Sequence, residues 1–327
     1  MNFQEFKEKY QKVEVPEYPN SVLDAIPEPI VSVRVSTYMH AKYIKECLDG
    51  ILMQKTSFPF EILIGEDQSS DGTREICIEY AKKYPNQIRL ILHKRENNIH
   101  INGRPTAKFQ GIYTSYLCRG KYSAVVEGDD YWTDPEKLQK QVMYLENHPD
   151  CSFNCHDVEI VYEDVPEVFP FQTVWNKNEI YFPDVFNHHF VSFLSIVYRR
   201  SMLSTPPAWF SQAVVGDIPL VLVLAHKGYG YYFTEKMGVK RKNPGGVTQD
   251  PLRQKSDMAP LFYFIYKNVH EYTDGKYKYL TFPKLAGYER SFARKSFAKF
   301  HLKTFFKNSF LAFYHEPDYL FKKIFRI

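Results

Sequence analysis

An α/β fold, with a mostly parallel sheet flanked by helices, is predicted by three observations. Short β-branched or apolar runs alternate with amphipathic helical stretches between Ile30 and Val126. The spacing leaves room for right-handed helical crossovers between successive strands. Each apolar run ends in polar residues: Ser36-Thr37-Tyr38, then Glu66-Asp67, then His93-Lys94-Arg95, then Glu127 to Asp130. In such a sheet all four clusters fall along one edge, the edge at which open α/β sheets bind ligands.

The elements follow in order. Residues 1 to about 29 read as an N-terminal extension, and four prolines between Glu14 and Pro29 mark a connector. Ile30 to Val35 is the first strand. Ile44, Cys47, Leu48, Ile51 and Leu52 share one face of the first helix. Phe60 to Ile64 is the second strand, and it runs into a turn-rich acidic loop, Glu66 to Gly72. Ile76, Tyr80, Ala81 and Tyr84 mark a second helix, Ile88 to Leu92 a third strand, and Phe109, Ile112, Tyr113, Tyr116 and Leu117 a third helix. The fourth strand, Tyr122 to Val126, delivers Glu127, Asp129 and Asp130. Thr133 or Asp134 is placed to cap the next helix, with Pro135 in its first turn.

Beyond Cys151 the pattern is less regular. Val158 to Tyr162 and Phe193 to Tyr198 read as strands, and the stretch between them, with Pro166, Pro170 and Pro183, as irregular. Asp217 fits the N-cap of an apolar helix with Pro219 in its first turn and Gly228 at its end. Lys240 to Gly246 reads as a basic loop. From about Asp250 the composition shifts to Phe, Tyr and Lys at helical spacing.

Composition narrows the function classes. The chain has 327 residues, with 42 Lys and Arg against 38 Asp and Glu, a balance that argues against a nucleic-acid backbone as the main partner. There is no apolar run of membrane-spanning length. The polar first 20 residues lack the apolar segment of a secretory signal. Five scattered cysteines suit a reducing cytoplasm. Cys151, Cys155 and His156 hint at zinc, but no second ligand pair sits at suitable spacing, so structural thiols are expected.

Adjacent carboxylates repel unless a cation or hydrogen-bond donors compensate. Hard oxygen ligands suit Mg²⁺ or Mn²⁺, ions that usually hold substrate phosphates as well. An acidic turn that does no more than cap a helix would contain the same residues.

Five stretches in order, VSVRVSTY, EILIGEDQSSDGT, GKYSAVVEGDDYWTDPEKLQKQ, SFLSIVYRRSML and GDIPLVLVLAHKG, resemble glycosyltransferase family 2, built on the GT-A fold. The resemblance covers roughly residues 30 to 247, and the EGDDYW form is similar to bacterial transferases that build surface polysaccharides. It implies a GT-A catalytic domain over 30–247, between the extension at 1–29 and a helical region at 248–327. It also implies an inverting, metal-dependent transfer from a nucleotide sugar, UDP by family habit, to a saccharide or lipid-linked acceptor. Ser36 and Tyr38 would line the nucleotide pocket, Asp67 would accept from the uracil ring, and Lys108 would reach the donor. Asp129 would contact ribose or sugar, Asp130 would ligate Mn²⁺ or Mg²⁺, and Asp217 would be the general base. The chain departs from the family at Met39, where Asn is common, at Glu127, where Asp is common, and at Asn243, where many relatives have His. With no His at 243, Arg241 or Lys242 is expected to stabilise the leaving diphosphate.

Other classes fit less well. A sugar-phosphate nucleotidyltransferase would carry a glycine-rich basic loop where this chain has Ser36 to His40. A nicotinamide dehydrogenase would need G-x-G-x-x-G, which is absent. A degenerate carbohydrate- or nucleotide-binding protein would not need Asp129, Asp130 and Asp217 together. Lys94 and Arg95 suit either a solvated strand end or a phosphate contact. In the last stretch, phenylalanines at 297, 300, 305, 306, 310 and 313 alternate with Arg294, Lys295, Lys299, Lys303 and Lys307. That pattern suits either a peripheral contact with an anionic membrane or a helix packing its aromatics on the catalytic domain.

Overall fold

The computed structural model describes residues 1–19, 28–163, 165–170, 175, 177–244, 257–299 and 301–319. The expected glycine end of the basic loop, the expected domain edge at 247 and Phe300 lie outside them. The chain divides into two compact units, 1–253 and 254–327.

In the first unit the strands are β1 (Val31–Thr37), β2 (Phe60–Glu66), β3 (Ile88–Leu92), β4 (Ile99–Ile101), β5 (Arg104–Thr106) and β6 (Tyr122–Glu127). They continue with β7 (Tyr131–Trp132), β8 (Cys151–Tyr162), β9 (Val165–Pro170), β10 (Glu179–Ile180), β11 (Val197–Arg199) and β12 (Tyr229–Lys242). The helices are α1 (Phe3–Tyr10), α2 (Ile44–Leu52), α3 (Thr73–Lys83), α4 (Lys108–Leu117), α5 (Lys137–Asn147), α6 (Phe182–Asn187) and α7 (Asp217–Lys227). A ten-stranded sheet runs β10-β12-β8-β11-β6-β1-β2-β3, with β7 on β12 and β9 on β8. Strands β3, β2, β1 and β6 are mutually parallel. Every residue of β2 is buried, the mark of a parallel strand covered on both faces. Register places Thr37 beside Glu66 and Ser36 beside Glu127, so the polar strand ends do share one edge.

Just past that edge, Trp132 anchors the chain. It is buried, and its Nε1 donates to the Leu194 carbonyl at 3.0 Å. Gly50 of α2 passes so close that a Cβ there would lie 2.7 Å from the Trp132 carbonyl oxygen.

Several segments differ from the sequence expectation. Val165–Pro170 is a strand rather than irregular chain, because it can pair with the outer end of β8 from Glu159 to Tyr162. Proline is tolerated there because an edge strand needs no full ladder. Strand β8 begins at Cys151, and Phe193–Ser195 forms a 3₁₀ turn, leaving only Val197–Arg199 as strand. Lys240, Arg241 and Lys242 are the end of β12 rather than a loop, paired with Ile160, Val161 and Tyr162. Asp217 is the first residue of α7 and not its cap. Within the expected extension, α1 buries Phe6, which stacks on Phe109 of α4 with ring centroids 5.4 Å apart.

The second unit contains α8 (Ala259–Tyr272), α9 (Lys278–Ala298) and α10 (Leu302–His315). Buried Glu289 of α9 ties the three helices together, accepting from Tyr263 Oη at 2.8 Å and His315 Nδ1 at 2.7 Å. Among the described residues no helix is long and apolar enough to cross a membrane.

Met39 sits in the left-handed region at φ +56°. A Cβ-bearing apolar side chain is disfavoured there, whereas Asn is tolerated. Met39→Asn is therefore expected to stabilise the protein by about 1 kcal/mol and to raise Tm in thermal denaturation. An unchanged or lower Tm would show that the Met39 side chain compensates for its backbone.

Candidate active site

Three carboxylates meet where β6 ends. Glu127, Asp129 and Asp130 each present an oxygen within 4.8 Å of the others. They sit on a tight turn in which the Asp130 amide donates to the Glu127 carbonyl at 3.0 Å. Gly128 is required in this turn, since a Cβ would lie 2.6 Å from Thr37 Oγ1 and 2.8 Å from His40 Nδ1.

Asp130 is buried. Its Oδ1 accepts the Arg241 amide at 2.8 Å, while its Oδ2 is buried without a hydrogen-bond partner among the described residues. Burial pushes its carboxyl well above the ordinary range. Asp129 and Glu127 add to that shift, and Lys240 opposes it. Glu127 moves up for the same reasons but touches solvent, which screens it. Asp129 Oδ2 accepts from Asn243 Nδ2 at 2.8 Å and faces His40 Nε2 at 3.9 Å. Burial pushes His40 down, with Asp129 opposing. Three hard oxygen donors, one of them orphaned and buried, suit a small divalent cation such as Mg²⁺ or Mn²⁺. Burial opposes the charge on Lys240, but the four acids Glu127, Asp130, Asp217 and Asp129 outweigh it and hold the ammonium protonated to higher pH.

A second group lies along the same edge at the ends of β1, β2 and β3. The Arg95 guanidinium stacks 3.9 Å from the centroid of the Tyr38 ring and donates to Asp67 Oδ2 at 2.9 Å. Asn98 Nδ2 donates to the same oxygen at 2.8 Å. Asp67 Oδ1 is buried without a hydrogen-bond partner among the described residues. Burial raises the Asp67 carboxyl to about 6, against the pull of Asn98 and Arg95. Its neighbour Glu66 has a different task. It is fully buried, paired with Arg74, and accepts the Ser69 amide at 2.7 Å, so it folds the loop rather than facing the cleft.

Asp217 opens α7, half-buried, with Oδ1 accepting the Ile218 amide at 2.8 Å. Its charge acts on Glu127 and Lys240. Lys108, first residue of α4, donates through Nζ to the Val215 carbonyl at 2.7 Å, two residues before Asp217.

Residues 32–205 match the profile described as Glycosyl transferase family 2, just over half of the chain. The chain belongs to that family. It is 39% identical over 171 residues to the uncharacterized protein Rv1520 of Mycobacterium tuberculosis, covering 52% of this chain and 46% of that protein. It is 29% identical over 138 residues to the putative teichuronic acid biosynthesis glycosyltransferase TuaG of Bacillus subtilis, covering 42% of this chain and 50% of that protein. The chain thus spans about half the length of the curated relatives it matches. Its fold resembles S. aureus TarS 1–349 solved in complex with UDP, with a TM-score of 0.55, 18% identity, and coverage of 81% of this chain and 73% of that one. The α/β architecture is that of the GT-A fold.

Against this family-2 frame, the residues singled out in the sequence separate into groups. Asp129 and Asp130 share the acid cluster with Glu127. Tyr38 and Asp67 share the second group, and Ser36 links the two, its carbonyl accepting the Gly128 amide at 2.9 Å. Arg241 touches the acid turn through both backbone and side chain. Its side chain is engaged with Glu46 at 2.5 Å and stacks beside Tyr43 and Tyr131. Its Nη1 donates to the Asp129 carbonyl at 3.0 Å, and its backbone amide to Asp130 Oδ1 at 2.8 Å. Alternation along β12 puts Lys240 and Lys242 on the other face, toward the acids. His40, Asn98 and Lys240 are members of these groups to which sequence reading gave no role, while Arg95, read as either a solvated strand end or a phosphate contact, meets Asp67 and Tyr38. Lys240 was legible in principle, because strand periodicity separates it from Arg241.

Asp67 also makes a stability prediction. A folded-state value near 6, above the ordinary 3.8, means that the ionised form costs stability at neutral pH and that this cost is relieved as pH falls from about 6 toward 3.8. Asp67→Asn should therefore raise the Tm of the nucleotide-free protein at pH 7.5, and its advantage over wild type should shrink as pH falls through that window. A Tm difference that stays constant with pH would contradict the assignment.

Proposed function

We propose that the protein is an inverting, divalent-metal-dependent glycosyltransferase. In this reading it moves a sugar from a nucleotide donor, UDP before others, to a saccharide or lipid-linked saccharide acceptor in surface polysaccharide assembly. The observation that carries the reading is the orphaned Asp130 Oδ2 inside a three-carboxylate cluster that also feels Asp217. Family membership, the teichuronic acid relative and the UDP-bound neighbour support it.

The roles follow from chemistry. Tyr38 and Arg95 offer a flat, stacked surface for a base, and Asp67 Oδ1 an acceptor for a ring N–H. Asp130, with Asp129 and Glu127, would hold Mn²⁺ or Mg²⁺. The ion supplies positive charge against the diphosphate. Lys240 and Lys242 add fixed cations on the same side, which makes Lys240 rather than Arg241 the residue to offset the leaving group. Lys108 holds the approach to Asp217 and lends charge to the donor side. Asp217 takes the proton of the acceptor hydroxyl as that oxygen attacks the anomeric carbon. The bond from that carbon to the diphosphate oxygen breaks on the opposite face, so the configuration inverts. The pathway would be cytoplasmic, where the donor is made.

Calorimetric titration of UDP with and without Mn²⁺ tests the donor site. Wild type is expected to bind UDP in a Mn²⁺-dependent way, and Asp130→Ala to lose that dependence. No binding of UDP, GDP or dTDP by the folded protein under any metal condition would overturn the transferase reading in favour of a degenerate binding protein. Asp217→Asn should keep UDP binding and lower kcat by roughly 10²–10⁴-fold. Unchanged turnover would remove Asp217 as the base.

A further inference from the structure

The second unit carries a face that transfer chemistry does not use. On α10, Leu302, Phe306, Phe310 and Phe313 recur at spacings of four, four and three residues, which aligns them in one stripe. They are 53, 66, 69 and 57% exposed. Ala312, about 100° around the helix from Phe313, is buried. At 1.5 Å per residue the stripe is about 16 Å long. Lys303 and Lys307 each follow a stripe residue by one position and so border it along one side, and neither makes an ion pair among the described residues. The helix has no Asp or Glu.

Charge is equally uneven along the chain. Residues 294–327 hold eight Lys and Arg against two Asp and Glu. Residues 1–293 hold the remaining 34 against 36, so the whole positive excess of the protein falls in this last stretch.

An exposed apolar stripe of this size needs an occupant. A second copy meeting the same face by two-fold symmetry would bring one row of lysines against another. An anionic lipid surface satisfies both features at once, with rings at the acyl boundary and ammonium groups at the phosphates. We propose that α10 lies in the surface of an anionic bilayer, with Leu302, Phe306, Phe310 and Phe313 inserted and Lys303 and Lys307 at the headgroups.

Co-sedimentation of the full chain with phosphatidylglycerol-containing vesicles, and with phosphatidylcholine vesicles alone, tests this. Wild type should sediment with the anionic vesicles and be partly released by salt. Phe306→Ser combined with Phe310→Ser should lower partitioning at least about tenfold, with UDP binding and helical circular dichroism unchanged. Lys303→Gln with Lys307→Gln should reduce the preference for anionic lipid. Failure of wild type to sediment with anionic vesicles would overturn the proposal. So would equal binding by the double Phe variant, or a dimer in gel filtration that this variant dissolves, which would give the face to a second copy. Vesicle binding is read without donor or acceptor, so its outcome is independent of the chemistry at the acid cluster.

Discussion

Four carboxylates brought to one sheet edge repel one another, and much of the first unit serves to hold them there. At 4 Å a like-charged pair costs about 4 kcal/mol at the effective dielectric of a protein surface. Glu127, Asp129 and Asp130 are closer to one another than ordinary surface acids need to be, and Asp217 adds its field. The compensation is distributed. The Arg241 amide binds Asp130, Asn243 binds Asp129, and Lys240 is held protonated among all four. Among the described residues Asp130 Oδ2 is left buried without a hydrogen-bond partner, an acceptor that the proposed cation would satisfy.

The same edge shows how two adjacent acids can be given opposite work. Glu66 and Asp67 are neighbours in sequence, but strand alternation sends one inward and one toward the cleft. Glu66 is spent on Arg74 and the loop amides and has no capacity left for a ligand. Asp67 keeps one oxygen unpaired beside a stacked Tyr38–Arg95 pair. The first stabilises a turn. The second is held at a cost, as recognition groups are when they await a partner.

The helical unit solves a different problem. Its interior is secured by a buried carboxylate, Glu289, fully satisfied by Tyr263 and His315. Phe305 and Tyr314 of α10 pack against Phe297 and Phe282, but four other large side chains of the helix face outward in line. A helix whose buried face is Ala312 and whose open face is Phe306, Phe310 and Phe313 is inverted relative to a globular surface helix.

Much of this was legible in the chain itself. Period-two and period-3.6 patterning gave the parallel core, the helices and the shared edge of polar strand ends, because buried strands and amphipathic helices obey local rules. The acid cluster was visible for the same reason, as polar residues placed where an apolar run stops, whereas Asp217 was singled out by the resemblance to the family. What needed tertiary structure was everything decided by pairing at a distance. Val165–Pro170 became a strand only because β8 offered it an edge, and the KRK run became the end of β12, which set Lys240 in the field of the acids. Whether the C-terminal phenylalanines were core or surface could not be read from their spacing, since an amphipathic stripe looks the same whichever side is wet. Sequence determines which residues share a face; only the packed chain decides what that face meets.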